Sequence, residues 1–398
     1  MMKICIVCPR LCHGGAERVA VELANGFAKR GHEVLFLTDL FEEISFSIDS
    51  DVKLLGFAKQ RKGKVGKWLS AIFNARRFAK EFRPNVIIGI MSTCSFVGRL
   101  ATFGLGIPVI ATEHDSFERP LSAPMSRLER FTKFILNRLY RRVTVLTEAD
   151  YRVIGKRLSN VTVMPNPLAL SPIDTIHQKQ LVILAAGRVD VWHCKGFDVL
   201  MRSLASSVTF GNMDSQSDTL ASLMRRGGWK LQIAGVWRED SSKEYLLGIA
   251  REHGVDDLVE FLGFVDDMQS LYQRSSVFVL SSRYEGFGLV LIEAMSQGCA
   301  PVACDYKGRQ REIINPSSVL PQGEEEQSAA VSEFCVCDNG ILCEPDNADQ
   351  LAAAIARMIS DDKYRMIVQQ NAISRSRYYS IENTVDRWEQ LLNSLIRK

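Results

Sequence analysis

Ser281-Ser282-Arg283-Tyr284-Glu285-Gly286-Phe287-Gly288-Leu289-Val290-Leu291-Ile292-Glu293-Ala294-Met295 holds more structural information than any other part of this chain. The apolar run Val277–Leu280 before it reads as a buried strand, and a helical pattern begins at Leu289. Between them lies a polar turn with Glu285 and two glycines, so the stretch is one strand–loop–helix unit. Gly286 and Gly288 leave the first helical amides open to an anion such as phosphate. Glu285 falls in the loop and Glu293 about one turn into the helix, on the same side. Backbone donors beside two carboxylate acceptors suit a ligand that joins phosphate to hydroxyl groups: a sugar nucleotide.

Outward from this unit the same alternation recurs. Strands are expected at Lys3–Cys8, Glu33–Thr38, Val86–Met91, Val109–Thr112, Val143–Thr147 and Val161–Met164, then at Leu181–Ala186, Lys230–Ala234, Val259–Leu262, Val277–Ser281 and Ala300–Cys304. Helical patterns such as Ala16–Lys29 stand between them, so the class is α/β with parallel sheets. Pro165-Asn166-Pro167 and the aperiodic residues to Gln180 read as a linker. The expected domains are 1–170, joined by an amphipathic C-terminal helix at 380–398, and 171–379. Ser206–Gly228 and Pro316–Asp338 read as inserted surface loops.

Composition narrows the class. A chain of 398 residues with 46% hydrophobic and 24% charged residues is globular and long enough for two cores. No apolar run approaches the ~18 residues that would span a bilayer, and the opening strand is too short for a leader peptide. Ten scattered cysteines without a C-x2-C pair point to reduced thiols in a cytoplasmic protein, not to a zinc site. The net charge of +3 hides an uneven split: residues 1–175 hold 26 Lys+Arg against 16 Asp+Glu, and the remainder holds 23 against 30. The basic half is expected to face something anionic.

Taken together, the Glu-x7-Glu loop, Gly14-Gly15-Ala16-Glu17-Arg18 after the first strand, Arg188 with Lys195-Gly196, and Asn339-Gly340-Ile341-Leu342 resemble the retaining glycosyltransferases of family 4. The resemblance runs through nearly the whole chain. It implies the GT-B fold: two Rossmann-like domains whose parallel sheets face each other across a cleft. It further implies that Glu285 holds donor-sugar hydroxyls, Glu293 holds the ribose hydroxyls, and the amides of Phe287, Gly288 and Leu289 meet the diphosphate. Gly15 would face the donor phosphates, and the backbone around Val265 would pair with the nucleobase. His114, at the end of the strand Val109–Thr112, would sit near the transferred sugar, with Glu113 and Asp115 beside it open to acceptor contacts. His32, in the run Arg30–Val34, is read as structural.

Arg188 and Lys195 would stabilise the charge that builds on the departing diphosphate, Arg as a bidentate grip and Lys as a point charge. Six residues separate them, slightly more than the family's usual spacing, and Trp237 stands where the family has a second glycine. Asp266-Asp267 reads as a helix start, and there is no D-x-D between apolar strands, so no metal and no other cofactor is expected. The expected partners are a nucleotide sugar, most simply a UDP-hexose or UDP-N-acetylhexosamine, and a glycan or lipid-linked acceptor. The basic segments 59–83 and 118–142, with apolar residues interleaved, fit contact with the inner face of an anionic membrane. Nucleic acid is disfavoured for want of a stacking platform or recognition helix. Two alternatives remain: a silent sugar-nucleotide scaffold, against which the intact Arg188, Lys195, Glu285 and Glu293 weigh, and a GT-B epimerase, for which no acid/base set stands out. A NAD-dependent dehydrogenase would need the absent G-x-G-x-x-G fingerprint.

Overall fold

The computed structural model describes residues 1–12, 14–41, 44–57, 64–120, 124–208, 218–314 and 334–396. The chain divides into two compact units, one formed by 1–169 with 379–398 and the other by 170–378.

The first unit is built on a sheet of β1 (Lys3–Val7), β2 (Glu33–Thr38), β3 (Val52–Gly56), β4 (Val86–Ile90), β5 (Val109–Thr112), β6 (Arg142–Val145) and β7 (Val161–Val163). Their order is β3-β2-β1-β4-β5-β6-β7, with every pair parallel. Central strands of such a sheet are covered on both faces, which is why Val86–Ile90 is buried along its whole length. The helix Ile381–Ile396 belongs to this unit: Trp388 and Val385 are buried, and the Trp388 ring meets Phe27 edge-on at 6.4 Å. Arg30 binds Asp386 at 2.6 Å, and His32 Nε2 lies 2.8 Å from Glu389 while its Nδ1 accepts from the Met2 amide. His32 thus ties the first strand to the last helix.

The second unit carries β8 (Gln180–Ala186), a two-residue pairing of β9 (Ser207–Val208) with β10 (Asp218–Thr219), then β11 (Lys230–Ala234), β12 (Val259–Gly263), β13 (Ser275–Leu280), β14 (Ala300–Cys304), β15 (Cys335–Cys337) and β16 (Gly340–Cys343). The main sheet runs β12-β11-β8-β13-β14-β16-β15, parallel except for the edge hairpin β15–β16. Chain order reverses between β8 and β13, which makes a crevice at their carboxyl ends.

Ser206–Gly228 is not wholly a loop. Its first part pairs as β9–β10, and Leu220–Gly227 is a helix, capped by the Thr219 hydroxyl, that buries Leu220, Ala221 and Met224. The turn-forming residues of that stretch cluster at its start, within 209–217, which lies outside the described residues. Most of the Pro316–Asp338 loop, up to residue 333, also lies outside them, as do 59–63 and 121–123 of the basic segments.

Candidate functional site

In the second unit the predicted donor residues converge at the carboxyl ends of β8, β12 and β13. Gly196 sits in a left-handed turn (φ +64°), and a Cβ there would lie 1.9 Å from the Ser281 carbonyl oxygen, so only glycine lets the two loops meet this closely. Across that contact the Ser281 hydroxyl donates to the Lys195 carbonyl at 2.8 Å and the Arg283 amide donates to the Cys194 carbonyl at 2.9 Å. As a result Lys195 Nζ stands 2.5 Å from Glu285 Oε1, which also accepts from the Ser282 hydroxyl at 2.8 Å. Both side chains are mostly covered, so the pair is held more firmly than a surface ion pair.

Arg188, half exposed, pairs with Asp190 at 3.1 Å. Asp190 also accepts from the Arg238 amide at 2.6 Å, the main reason its carboxyl is held below its ordinary range. Glu293 is buried on the helix Leu289–Ser296, and the Tyr272 hydroxyl donates to its Oε2 at 3.2 Å. Gly288 (φ +97°) caps that helix from the left-handed region, with Phe287 buried behind it. At this end the Leu291 amide donates to the Gly288 carbonyl at 2.9 Å, and the Leu289 and Val290 amides precede the helix's own hydrogen-bond ladder, where an anion can meet them. Val265 is half-buried after β12, beside exposed Phe264, and Asp267 caps the next helix through the Ser270 amide. Trp237 packs edge-on to Phe261 at 6.4 Å and donates to Asp240 at 2.9 Å, covering the end of β12.

Sequence reasoning passed over Arg283. Its guanidinium grips Asp198 bidentately at 2.7 and 2.8 Å, donates to the His193 carbonyl at 2.6 Å and meets Asp346 at 2.5 Å. It stitches the Lys195 loop to the Glu285 loop. Burial alone would raise the Asp198 carboxyl, but Arg283 and Arg202 pull it below its ordinary range. The signal was present as the pairing of Lys195-Gly196-Phe197-Asp198 with Ser282-Arg283, opposite charges flanking two candidate site residues.

In the first unit Gly15 opens the helix Gly15–Lys29, and the Glu17 carboxylate folds back over Gly14 and binds Arg10 at 3.2 Å. A pocket of about 370 Å³ opens there, at the carboxyl ends of β1 to β4. Arg10, Glu17, Asp39, Lys67, Trp68 and Met91 are among its lining residues. Lys67 pairs with buried Asp39 at 2.5 Å, and Met91 takes a strained φ of +62°. His114 follows β5. The Thr112 hydroxyl lies 3.1 Å from the Gly89 carbonyl and 2.9 Å from His114 Nε2. Nδ1, with the Asn166 side chain beside it, meets no hydrogen-bond partner of good geometry among the described residues. Burial pushes the imidazole down to about 4, partly opposed by Asn166, so at neutral pH the ring is uncharged. Glu113 is not open to a ligand: it is buried against Lys133 at 3.7 Å and Asn137 at 3.0 Å, and burial raises its carboxyl. Asp115 is half exposed and bound to Arg119.

Residues 172–375 match the family model for glycosyl transferases group 1, and residues 13–171 match that for glycosyltransferase family 4. The chain belongs to the group 1, family 4 glycosyltransferases. A curated relative from Campylobacter jejuni is 24% identical over 98% of both chains; it is a GalNAc-α-(1→4)-GalNAc-α-(1→3)-diNAcBac-PP-undecaprenol α-1,4-N-acetyl-D-galactosaminyltransferase. The amylovoran biosynthesis glycosyltransferase AmsD of Erwinia amylovora is 26% identical over 96% of both chains. Among solved structures, Anabaena HepE in complex with UDP and glucose superposes with a TM-score of 0.72 at 19% identity, covering 99% of this chain and all of that one. A sucrose-phosphate synthase from Thermosynechococcus elongatus gives 0.75 at 17% identity with both chains fully covered. The fold of this glycosyltransferase is GT-B. No cluster of three or more potential metal-ligating side chains occurs among the described residues, and no helix there is long and apolar enough to cross a membrane.

Proposed function

We propose that this glycosyltransferase moves a hexose or N-acetylhexosamine from a UDP-sugar to a hydroxyl of a lipid-linked glycan or polysaccharide precursor, with retention at the anomeric carbon. The observation that carries the reading is the Lys195–Glu285 pair, 2.5 Å apart beside an open helix N-terminus. Lys195 and Arg188 neutralise the departing diphosphate, the amides of Phe287, Gly288 and Leu289 bind it, and Glu285 holds the sugar hydroxyls. Glu293 accepts from the ribose, and the backbone at Val265 meets the base. The bond from C1 to the phosphate oxygen breaks as the acceptor oxygen bonds C1 on the same face. The acceptor proton passes to the departing phosphate oxygen, so no side chain need serve as general base. Fixed cations and helix amides supply the charge stabilisation, and no metal is required. The lipid-linked acceptor is supported by the undecaprenol-linked substrate named for the Campylobacter relative, and the pocket at Glu17, Asp39 and Trp68 offers carboxylate acceptors and an aromatic face for an acceptor sugar.

The test is transfer from UDP-glucose, UDP-galactose, UDP-GlcNAc and UDP-GalNAc to undecaprenyl-diphosphate-linked saccharides, with EDTA present and the product's anomeric configuration read by NMR. Acceptor-dependent UDP release and an α-linked product are expected. Glu285→Ala should lower kcat by ~10²–10³-fold with melting unchanged. Wild-type transfer by Glu285→Ala, or a β-linked product, would overturn the reading.

A further inference from the structure

Cys335, Val336 and Cys337 form β15, the outer strand of the second unit's main sheet, which among the described residues pairs with β16 alone. In that antiparallel register Cys335 lies opposite Leu342 and Cys337 opposite Gly340, so both thiols project from one face of the strand. Their Sγ atoms are in contact, 3.6 Å apart. Cys337 Sγ also lies 3.7 Å from the Cys335 carbonyl oxygen, which turns it back along the strand toward its neighbour. The two thiols differ in access: Cys335 is exposed, whereas Cys337 is only 7% exposed.

The other cysteines lack this combination. Cys5, Cys8, Cys94, Cys299, Cys304 and Cys343 are buried, and burial pushes each of these thiols up, away from the reactive thiolate. Cys12 and Cys194 are half-buried, and Cys194 Sγ meets the His193 ring at 3.2 Å. A thiol in contact with an exposed cysteine acts at a local concentration on the order of millimolar or above, so it competes well with thiols in solution. Residues two apart on an extended strand stand about 6.8 Å from each other, the outer limit of a disulfide's span, so a bond between them requires β15 to contract. An edge strand can do so because its outer side has no ladder to lose. The rest of the hairpin stays anchored: the Tyr364 hydroxyl donates to the Cys337 carbonyl at 3.3 Å and Asn371 Nδ2 to the Asp338 carbonyl at 2.8 Å.

We propose that Cys335 and Cys337 form a redox-active dithiol that reacts with small-molecule disulfides, Cys335 as the attacking thiol and Cys337 as the resolving one. Cys335 loses its proton and its sulfur bonds one sulfur of the incoming disulfide, whose S–S bond breaks to release one thiolate. The Cys337 sulfur, deprotonated in turn, bonds the Cys335 sulfur, and the mixed disulfide breaks to release the second thiolate. The two protons given up by the cysteines end on the two released thiols. The protein is oxidised by two electrons and the incoming disulfide is reduced by two. The site is independent of the donor chemistry, since β14 and β16 separate β15 from β13, the strand that leads to Glu285.

The test exposes the full-length protein, reduced and freed of reductant, to oxidised glutathione, then alkylates the remaining thiols with iodoacetamide and reads each cysteine by peptide mass spectrometry. Cys335 and Cys337 should together lose two hydrogens and retain no glutathione. Cys337→Ser should stop at a glutathione adduct on Cys335 that outlasts the wild-type adduct ~10-fold or more, and Cys335→Ser should slow reaction at Cys337 by a similar factor, with melting unchanged. Oxidation of the wild type should also speed amide exchange across 335–343 as β15 contracts. Phenylarsine oxide, which bridges paired thiols, should protect both cysteines of the wild type from alkylation together, a readout that needs no variant to fold. A wild-type adduct on Cys335 that never closes, no modification at either cysteine, or a disulfide from either one to a third cysteine or to another chain would overturn the proposal.

Discussion

Arg283 sets the geometry on which the chemistry depends. Asp198, its main partner, is almost fully covered, so truncating Arg283 leaves a buried carboxylate with Arg202, at 3.1 Å, as its remaining cationic partner among the described residues. Arg283→Ala should cost about 3 kcal/mol, roughly 6–12 °C in the melting temperature of the second unit, and should lower kcat by loosening Lys195 against Glu285. Calorimetry with steady-state kinetics checks both. The individual types of these residues were plain from the sequence, but their contact was not: Lys195 and Glu285 are ninety positions apart, and no local pattern states that they meet at 2.5 Å. The same limit hid the burial of Glu113, whose neighbours Lys133 and Asn137 come from a later segment. His114 makes a prediction of its own. Its folded value of about 4 lies below the ordinary 6.5, so the unfolded chain takes up this proton first. Its contribution to stability is therefore full above pH ~6.5 and is lost as pH falls toward 4. His114→Gln should flatten the stability profile across that window, as urea titrations at successive pH values would show. Because the ring stays neutral, His114 should add no limb to the rate profile between pH 6 and 8.

Among the elements, strands in the middle of each sheet were legible because burial on both faces forces continuous apolar runs; Glu33–Thr38, Val109–Thr112, Lys230–Ala234 and Ala300–Cys304 have the expected bounds. The edges were not. β3 is mostly half-exposed and carries Lys53, and β15 and β16 are only three and four residues long, so neither period nor length marks them. Ser281 lies just past β13 because its hydroxyl turns to the Lys195 loop. One element-scale device shows in no sequence pattern. Lys179 Nζ donates to the carbonyls of Tyr272, Gln273, Ser275 and Gln297, at 3.1, 2.9, 3.0 and 2.9 Å. It thereby satisfies the carboxyl ends of the helices Met268–Arg274 and Leu289–Ser296, the second of which carries Glu293. Lys179→Met keeps the stem and removes the donors, so the second unit should lose about 1–3 kcal/mol. Unchanged thermal unfolding would show that water replaces the ammonium.

At the scale of the molecule, the chain leaves its first unit at residue 169 and returns to it at residue 379. The first unit's core is therefore completed by Val385, Trp388, Leu391 and Leu392, which follow the whole of the second unit in sequence. Trp388→Ala should cost about 3–5 kcal/mol and should appear as unfolding of the first unit, with donor binding by the second unit retained. Domain-resolved hydrogen exchange reads this directly. The central claim, that the Lys195–Glu285 site binds a nucleoside diphosphate sugar, is tested most directly by calorimetric titration of the full-length protein with UDP-, GDP-, ADP- and TDP-sugars, repeated on Lys195→Ala. Selective binding of one UDP-sugar, weakened at least tenfold in Lys195→Ala, is the predicted result. No binding by the wild type, or equal affinity in the variant, would contradict it.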